Sequence, residues 1–301
     1  CICDQEDGGK GYIILSIQNM INKKQSELSG LVITYAFLGF GLIFMVFPYV
    51  WMLLASFKIP AEIYNRFLPT QFTLEHYRML FSLGATGSTN LFVRSIFNSL
   101  VVSSIATISV VFFGAITGYA LARIIFPGRT LLNNFILFQM LFPIVLFLIP
   151  RFLLMLELGW INTFQGMFSP FMISAWAIFL FTQFFKTVPQ ELIDAARLDG
   201  CSELRIVFKI MLPLSKSVTI IVAIFTFMGM WDEFLWYLIV TKDYNLMPLS
   251  VLLGLFTRGE YSSYPGIQTA GATLLTLPIL VLFFVFRKFF TEGISMTGLK
   301  G

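Results

Sequence analysis

Six long apolar stretches decide what this chain can fold into. A helix that crosses a bilayer needs about 20 mostly apolar residues, and lipid offers its backbone polar groups no partner but the helix itself. Leu31 to Phe57 is uncharged throughout, and Ser95 to Ala122 is bounded by Arg94 and Arg123. Leu131 to Pro150 is uncharged up to Arg151, and Phe168 to Phe185 ends at Lys186. Ser217 to Val240 carries charge only at Asp232 and Glu233, and Thr269 to Phe286 ends at Arg287 and Lys288. The expected fold is all-α: a polytopic membrane protein with six transmembrane helices.

Composition agrees. The 301 residues are 57% hydrophobic and 12% charged, with 35 Phe. Soluble domains carry about 25% charged residues, and a water-facing surface this apolar would aggregate. The net charge of +4 does not point to nucleic acid, because basic residues in membrane proteins mark cytoplasmic loops. If the N-terminus is inside, the inner segments hold 13 of the 20 Lys and Arg residues and the outer segments 7. That bias puts both termini, a segment 1–30 and the loop 187–213 in the cytoplasm. Cys1, Cys3 and Cys201 suggest neither a disulfide framework nor a metal site. Tyr12 to Ile17 is an apolar run too brief to span, and it is not built like a signal peptide. Tyr49, Trp51, Trp160, Trp231, Trp236 and Tyr237 gather at predicted interfaces. Pro143, Pro150 and Pro278 predict kinks or broken helices. The long outer segment 58–94 predicts a short helix near Leu74 to Phe81, with Gly84 to Ser88 as a turn.

Several chemistries have no signature here. The spans hold almost no ionisable residues, the usual mark of ion or proton coupling. There is no Gly-rich phosphate loop, no H-E-x-x-H and no nucleophile elbow, so no catalytic or metal residue is assigned. The single histidine, His76, lies in an outer loop as a surface residue. If the chain drives transport, a partner must supply the energy, and that partner needs a cytoplasmic docking element.

Residues 187–213 provide one. Thr187 caps a helix start, Gln190 three residues on completes a capping box, and Pro189 fits the first turn. Gly200 is a natural stop. Leu192, Ala195, Ala196 and Asp199 recur at i, i+3, i+4 and i+7 and form one face, small enough at the paired alanines for close approach. Glu191, Asp194 and Arg197 stand at its rim. A second, basic amphipathic stretch runs from Ser202 to Ile210, and Leu212-Pro213 leads into the fifth span. An interfacial helix lying on lipid would instead show bulky apolar residues opposite a Lys-rich face.

Glu191-Leu192-Ile193-Asp194-Ala195-Ala196-Arg197-Leu198-Asp199-Gly200, then Phe208, Ile210 and Leu212-Pro213, resembles the EAA loop of ABC-importer permease subunits. The carbohydrate-uptake branch, in the manner of the maltose permease's smaller membrane subunit, is the most similar. Tyr119 to Arg123 with Phe126 to Arg129 resembles that branch's loop after span two, and Leu158 to Thr163 its loop after span three. Trp231-Asp232-Glu233-Phe234-Leu235-Trp236 resembles the outer end of its span five, and Gly293 with Gly298 to Gly301 its C-terminal signature. Three positions depart: Asp194 stands where the family has Glu, Cys201 where it has Ala, and Ser217 where it often has Pro.

The resemblance implies a MetI-like permease core over 31–301 and a cytoplasmic coupling helix. It implies an alternating-access importer in a bacterial inner membrane. The partners would be a second permease, two ATPase subunits that bind ATP and Mg, and an extracellular solute-binding protein. Glu191, Asp194, Ala195, Ala196, Arg197, Asp199 and Gly200 would meet an ATPase. Trp231, Asp232, Glu233 and Trp236 are nominated for the sugar path, since carboxylates bind hydroxyls and aromatic faces stack on sugar rings. The outer loop Thr241 to Ile267 would reach into the binding protein. The substrate class is carbohydrate, an oligosaccharide by preference. A peptide or amino-acid permease and an ion-coupled carrier are the competing readings.

Overall fold

The computed structural model of the chain describes residues 6–82, 90–256 and 264–295. Among these, the regular structure is helical throughout. The turn at Gly84 to Ser88, residues 257–263 of the outer loop, the Gly298 to Gly301 signature, Cys1 and Cys3 lie outside the described residues.

Three helices are long and apolar enough to cross a membrane alone. The helix α1 is Glu6–Ala55, apolar from Leu28 onward. It continues unbroken through the segment read from sequence as a separate N-terminal part. Most of its apolar portion lies on the outside of the protein, with Phe37, Phe44 and Met45 among the exposed side chains, and only its end, at Ala55, is buried. A short helix α2 (Glu75–Ser82) follows where one was expected. The second long helix, α3 (Leu91–Arg123), opens on Asn90, whose Oδ1 accepts from the Phe92 and Val93 amides. The third is α14 (Pro265–Ser295), which runs through Pro278 without a break.

The other expected spans are bent or broken. Leu131 to Pro150 is not one helix: α4 (Arg129–Gln139) stops, Pro143 opens a 3-10 turn over Ile144–Phe147, and α5 (Leu148–Glu157) leaves at 100° to α4. Pro cannot donate to the helical ladder and pushes the residue before it out of the α region. The fourth span is α6 (Phe164–Phe168), a 3-10 turn at Ser169–Phe171 and α7 (Ala175–Thr187), bent by 43°. Thr163 and Ser174 cap the two helices. Past α7 come α8 (Gln190–Leu198) and α9 (Glu203–Ile206), then a π turn at Val207–Met211 and α10 (Leu212–Leu214). The missing N–H of Pro213 suits that widened turn. The fifth span, α11 (Lys216–Trp231), leaves Glu203–Leu214 at 89°. It ends at Asp232 instead of continuing to Val240, and α12 (Leu235–Val240) and α13 (Leu249–Leu255) follow.

The protein packs around α3. Gly114 and Gly118 let α7 close on it: a Cβ on Gly118 would stand 2.6 Å from the Phe181 Cβ and 3.1 Å from the Thr182 nitrogen. Small residues four apart are the usual means by which membrane helices bring their backbones together. The inner core of α3, α7 and α11 holds Val110, Tyr119, Phe181 and Phe185. Toward the start of α3, Asn98 Nδ2 donates to the Asn245 carbonyl at 2.8 Å, and Ser99 Oγ accepts from the Leu249 amide at 2.8 Å. His76 is buried, not a surface residue: its Nε2 meets the Lys58 carbonyl at 2.8 Å.

Candidate functional site

The helix α8 is a foot hung between α7 and α11. The capping box expected from Thr187 and Gln190 does not form. Thr187 closes α7, donating Oγ1 to the Phe184 carbonyl, and Pro189 takes the N-cap position without a side-chain bond. The start of the foot is held instead from α3. Arg123 donates Nε and Nη2 to the Phe185 carbonyl at 2.9 and 2.6 Å, Nη2 also to the Val188 carbonyl, and Nη1 to Gln190 Oε1 at 3.0 Å. One guanidinium thus satisfies carbonyls that the end of α7 leaves without helical partners.

The far end closes as the sequence predicts. Gly200 sits at φ +78°. The Cys201 amide reaches the Ala196 carbonyl, and the Gly200 amide the Arg197 carbonyl, both at 3.0 Å. This is the Schellman pattern of a glycine-ended helix. A chain of polar contacts then returns to α3. Gln190 Nε2 donates to Asp194 Oδ1 at 2.9 Å, and Arg197 Nη1 approaches the same oxygen at 3.4 Å. Arg197 Nε donates to Glu203 Oε1 at 2.9 Å, and the Tyr119 hydroxyl to Glu203 Oε2 at 2.5 Å. The Arg197 hydrogen bond, then that of Tyr119, holds the Glu203 carboxyl below the usual carboxylate range, and Glu203 in turn raises Arg197. The short arm of Asp194 suffices here, because its partners stand on the foot itself at i−4 and i+3.

The foot has two sides. Ile193 is fully buried and Ala196 nearly so, packed against Ile206, Val207 and Met211. Glu191, Leu192, Asp194, Ala195, Arg197, Asp199 and Gly200 face out, and Leu198 is 90% exposed. The face drawn from sequence is therefore divided. Leu192, Ala195 and Asp199 look outward, while Ala196 turns into the core and offers no surface to another protein.

The nominated sugar-path residues part company. Trp231 is 1% exposed and donates Nε1 to the Leu275 carbonyl at 2.9 Å. Trp236 is 2% exposed and donates Nε1 to the Gly166 carbonyl at 3.0 Å. Both indoles are core anchors, with no open face for a sugar ring and no place in an interfacial belt. Glu233 Oε1 accepts from the Trp236 amide at 2.9 Å and so caps α12, its backbone carbonyl accepting from Ser250 Oγ. Asp232 is exposed at the break.

The open space lies elsewhere. A cleft of about 440 Å³ is formed where α4, α5, α7 and α11 meet. Its walls include Phe142, Phe147, Phe171, Trp176 and Phe225, with Gln139, Thr226 and Arg151 as polar lining. None of these was singled out from the sequence for a substrate. The signal available was Pro143, read as a possible cavity-lining break. Tyr119, Arg123 and Glu203 were also missed as holders of the foot. Tyr119 and Arg123 are four apart at the inner end of a span, which puts them on one helix face.

Three helices long and apolar enough to cross a membrane, up to six crossings if each bent pair is one span, together with a polar foot mark a membrane-embedded protein. Residues 110–295 match the family described as the binding-protein-dependent transport system inner membrane component. The chain belongs to that family. It is similar to the arabinooligosaccharides transport system permease protein AraQ of Bacillus subtilis (strain 168), 31% identical over 282 residues, 92% of this chain and 98% of the relative. It is similar to the trehalose/maltose transport system permease protein MalG of Thermococcus litoralis, 29% identical, covering 86% of this chain and 93% of the relative. Its fold is that of a chain in the crystal structure of a bacterial ABC transporter involved in the import of the acidic polysaccharide alginate. The TM-score is 0.75 at 22% identity, over 86% of this chain and 95% of that one.

Proposed function

We propose that this chain is the carbohydrate-translocating permease subunit of an ABC importer, with both termini cytoplasmic in a bacterial inner membrane. It pairs with a second permease. Two ATPase subunits bind ATP and Mg beneath the pair, and each receives one foot. An extracellular binding protein delivers an oligosaccharide. The chain hydrolyses nothing itself. ATP-driven closure of the ATPases draws the feet together and opens the path outward.

The observation that carries this reading is the division of α8. Its inner side is locked to the core and, through Arg123 and the Glu203–Tyr119 contact, to α3. Its outer side, Glu191, Leu192, Ala195, Leu198 and Asp199, is exposed in this chain. Force applied there passes to the spans without first melting the foot. Support for carbohydrate comes from the relatives, whose names specify arabinooligosaccharides and trehalose/maltose. The test is uptake by the complete importer in vesicles loaded with ATP. Sugar accumulation should require ATP and should fail in a Leu198→Glu variant that still inserts and folds. Uptake that persists without ATP, or that is unchanged in Leu198→Glu, would remove the coupling role from α8.

A further inference from the structure

Arg151 follows directly on the third expected span and is the one charged residue that lines the cleft. It lies in α5, just past the break at Pro143, and lines the cleft. The sequence suggested only the end of a span. The structure puts this guanidinium over the Phe171 ring at 5.5 Å, half-buried. Among the described residues no carboxylate lies within ion-pair distance of it. Glu233 stands beyond ion-pair distance, with its Oε1 engaged on the Trp236 amide. An arginine carries five N–H donors and no acceptor. Partly withdrawing it from water without acceptors for them is costly, and a few convergent polar groups in an otherwise apolar cleft are what orient a bound ligand.

We propose that the cleft takes a carbohydrate bearing a carboxylate, and that Arg151 is the residue that meets the acid. This rests on the carbohydrate reading above and narrows it. The surroundings fit such a ligand. About 440 Å³ falls within the range of small-molecule sites. Trp176 and Phe225 stand edge to face at 5.7 Å and offer ring surface to pyranose C–H faces. Gln139 and Thr226 supply hydrogen bonds for hydroxyls. The planar guanidinium matches a carboxylate two bonds at a time, which a lysine cannot do. Phe171 beneath it fixes the plane of the fork. A neutral sugar leaves those donors partly unsatisfied, so the site discriminates by charge.

The test is competitive uptake. The complete importer, with its binding protein, is placed in ATP-loaded vesicles and offered a mixture of oligogalacturonates, maltodextrins and short peptides, and the lumen is read by mass spectrometry. Oligogalacturonates should accumulate preferentially. Arg151→Gln should lower their uptake about 10- to 100-fold, the worth of a charge-assisted hydrogen bond. Arg151→Lys should recover part of the loss. Accumulation of maltodextrins alone overturns the acid assignment and leaves carbohydrate import standing. Equal uptake by wild type and Arg151→Gln removes Arg151 from the site. Loss of the second permease from the purified Arg151→Gln complex makes the cleft a subunit interface and overturns the proposal too. Entry of neither sugar class, with a peptide mixture entering instead, overturns the carbohydrate reading itself.

Discussion

The foot and the cleft are built on opposite principles. The foot is a short, regular helix in which Gln190, Asp194 and Arg197 are paired with each other, with Glu203 or with α3. The cleft is an interruption: helices stop, a proline turns the chain through 100°, and aromatic rings surround a guanidinium without an ion-pair partner among the described residues. The difference teaches where rigidity and adaptability have been placed. In the proposed coupling role the foot must not yield, and the contacts that tie it to α3 are made inside the chain. In the proposed ligand role the cleft holds its donors ready for something not yet present.

That contrast can be broken at several points. The largest effect is expected from Gly118→Leu, which drives a side chain into Phe181 and the α7 backbone. It should cost about 1–3 kcal/mol or more by overpacking, seen as a fall in melting temperature of the purified complex. Arg123→Ala comes next. It strips the Phe185 and Val188 carbonyls of their donor, a loss of about 1.5–3 kcal/mol. ATP hydrolysis should continue while uptake falls, because the foot is no longer tied to α3. If uptake per ATP hydrolysed is unchanged, the tie is ornamental. Gly200→Val forces a β-branched residue to φ +78°, at about 1–2 kcal/mol, and should also uncouple hydrolysis from uptake while the subunit remains inserted.

Smaller effects sharpen the outer side. Trp236→Phe removes the bond to the Gly166 carbonyl, worth about 0.5–1.5 kcal/mol. Thermal stability should drop and the apparent KM for sugar should stay put. The reverse pattern would return this indole to the sugar path. The smallest effect is on pH. The Glu203 carboxyl is depressed in the folded protein, so its stabilisation is full above its ordinary value of 4.5. It is lost only as pH falls through the depressed value. Transport per ATP should therefore be flat between about pH 6 and 8, and a sharp loss there would mean that another group holds the foot.

Much of this was legible because some signals are local. An uninterrupted apolar run such as Leu31 to Phe57 needs no tertiary information to be read as a helix, and α1, α3 and α14 followed. Gly200 carries its own conformational reason for ending α8. What could not be read was partnership across the sequence. The capping box at Thr187 failed because α7 used that residue for its own last turn, and Arg123, more than sixty residues earlier, took over the work. Hydrophobicity alone could not show that Leu131 to Pro150 is two helices, since both halves and the turn are apolar. Nor could it show which side of an indole faces the core: Trp231 and Trp236 flank two carboxylates in sequence, yet their bonds go to Leu275 and Gly166.

One helix joins these separate regions. With 33 residues, α3 is about 50 Å long at 1.5 Å per residue. Toward its last turn Arg123 and Tyr119 grip the foot. Toward its start Asn98 and Ser99 hold the Asn245–Leu249 strap. It is a connecting rod with a clamp at each end. On the proposed coupling, a push at the foot need not diffuse through a chain of loosely coupled loops. It would reach the Asn245–Leu249 strap through one continuous helix.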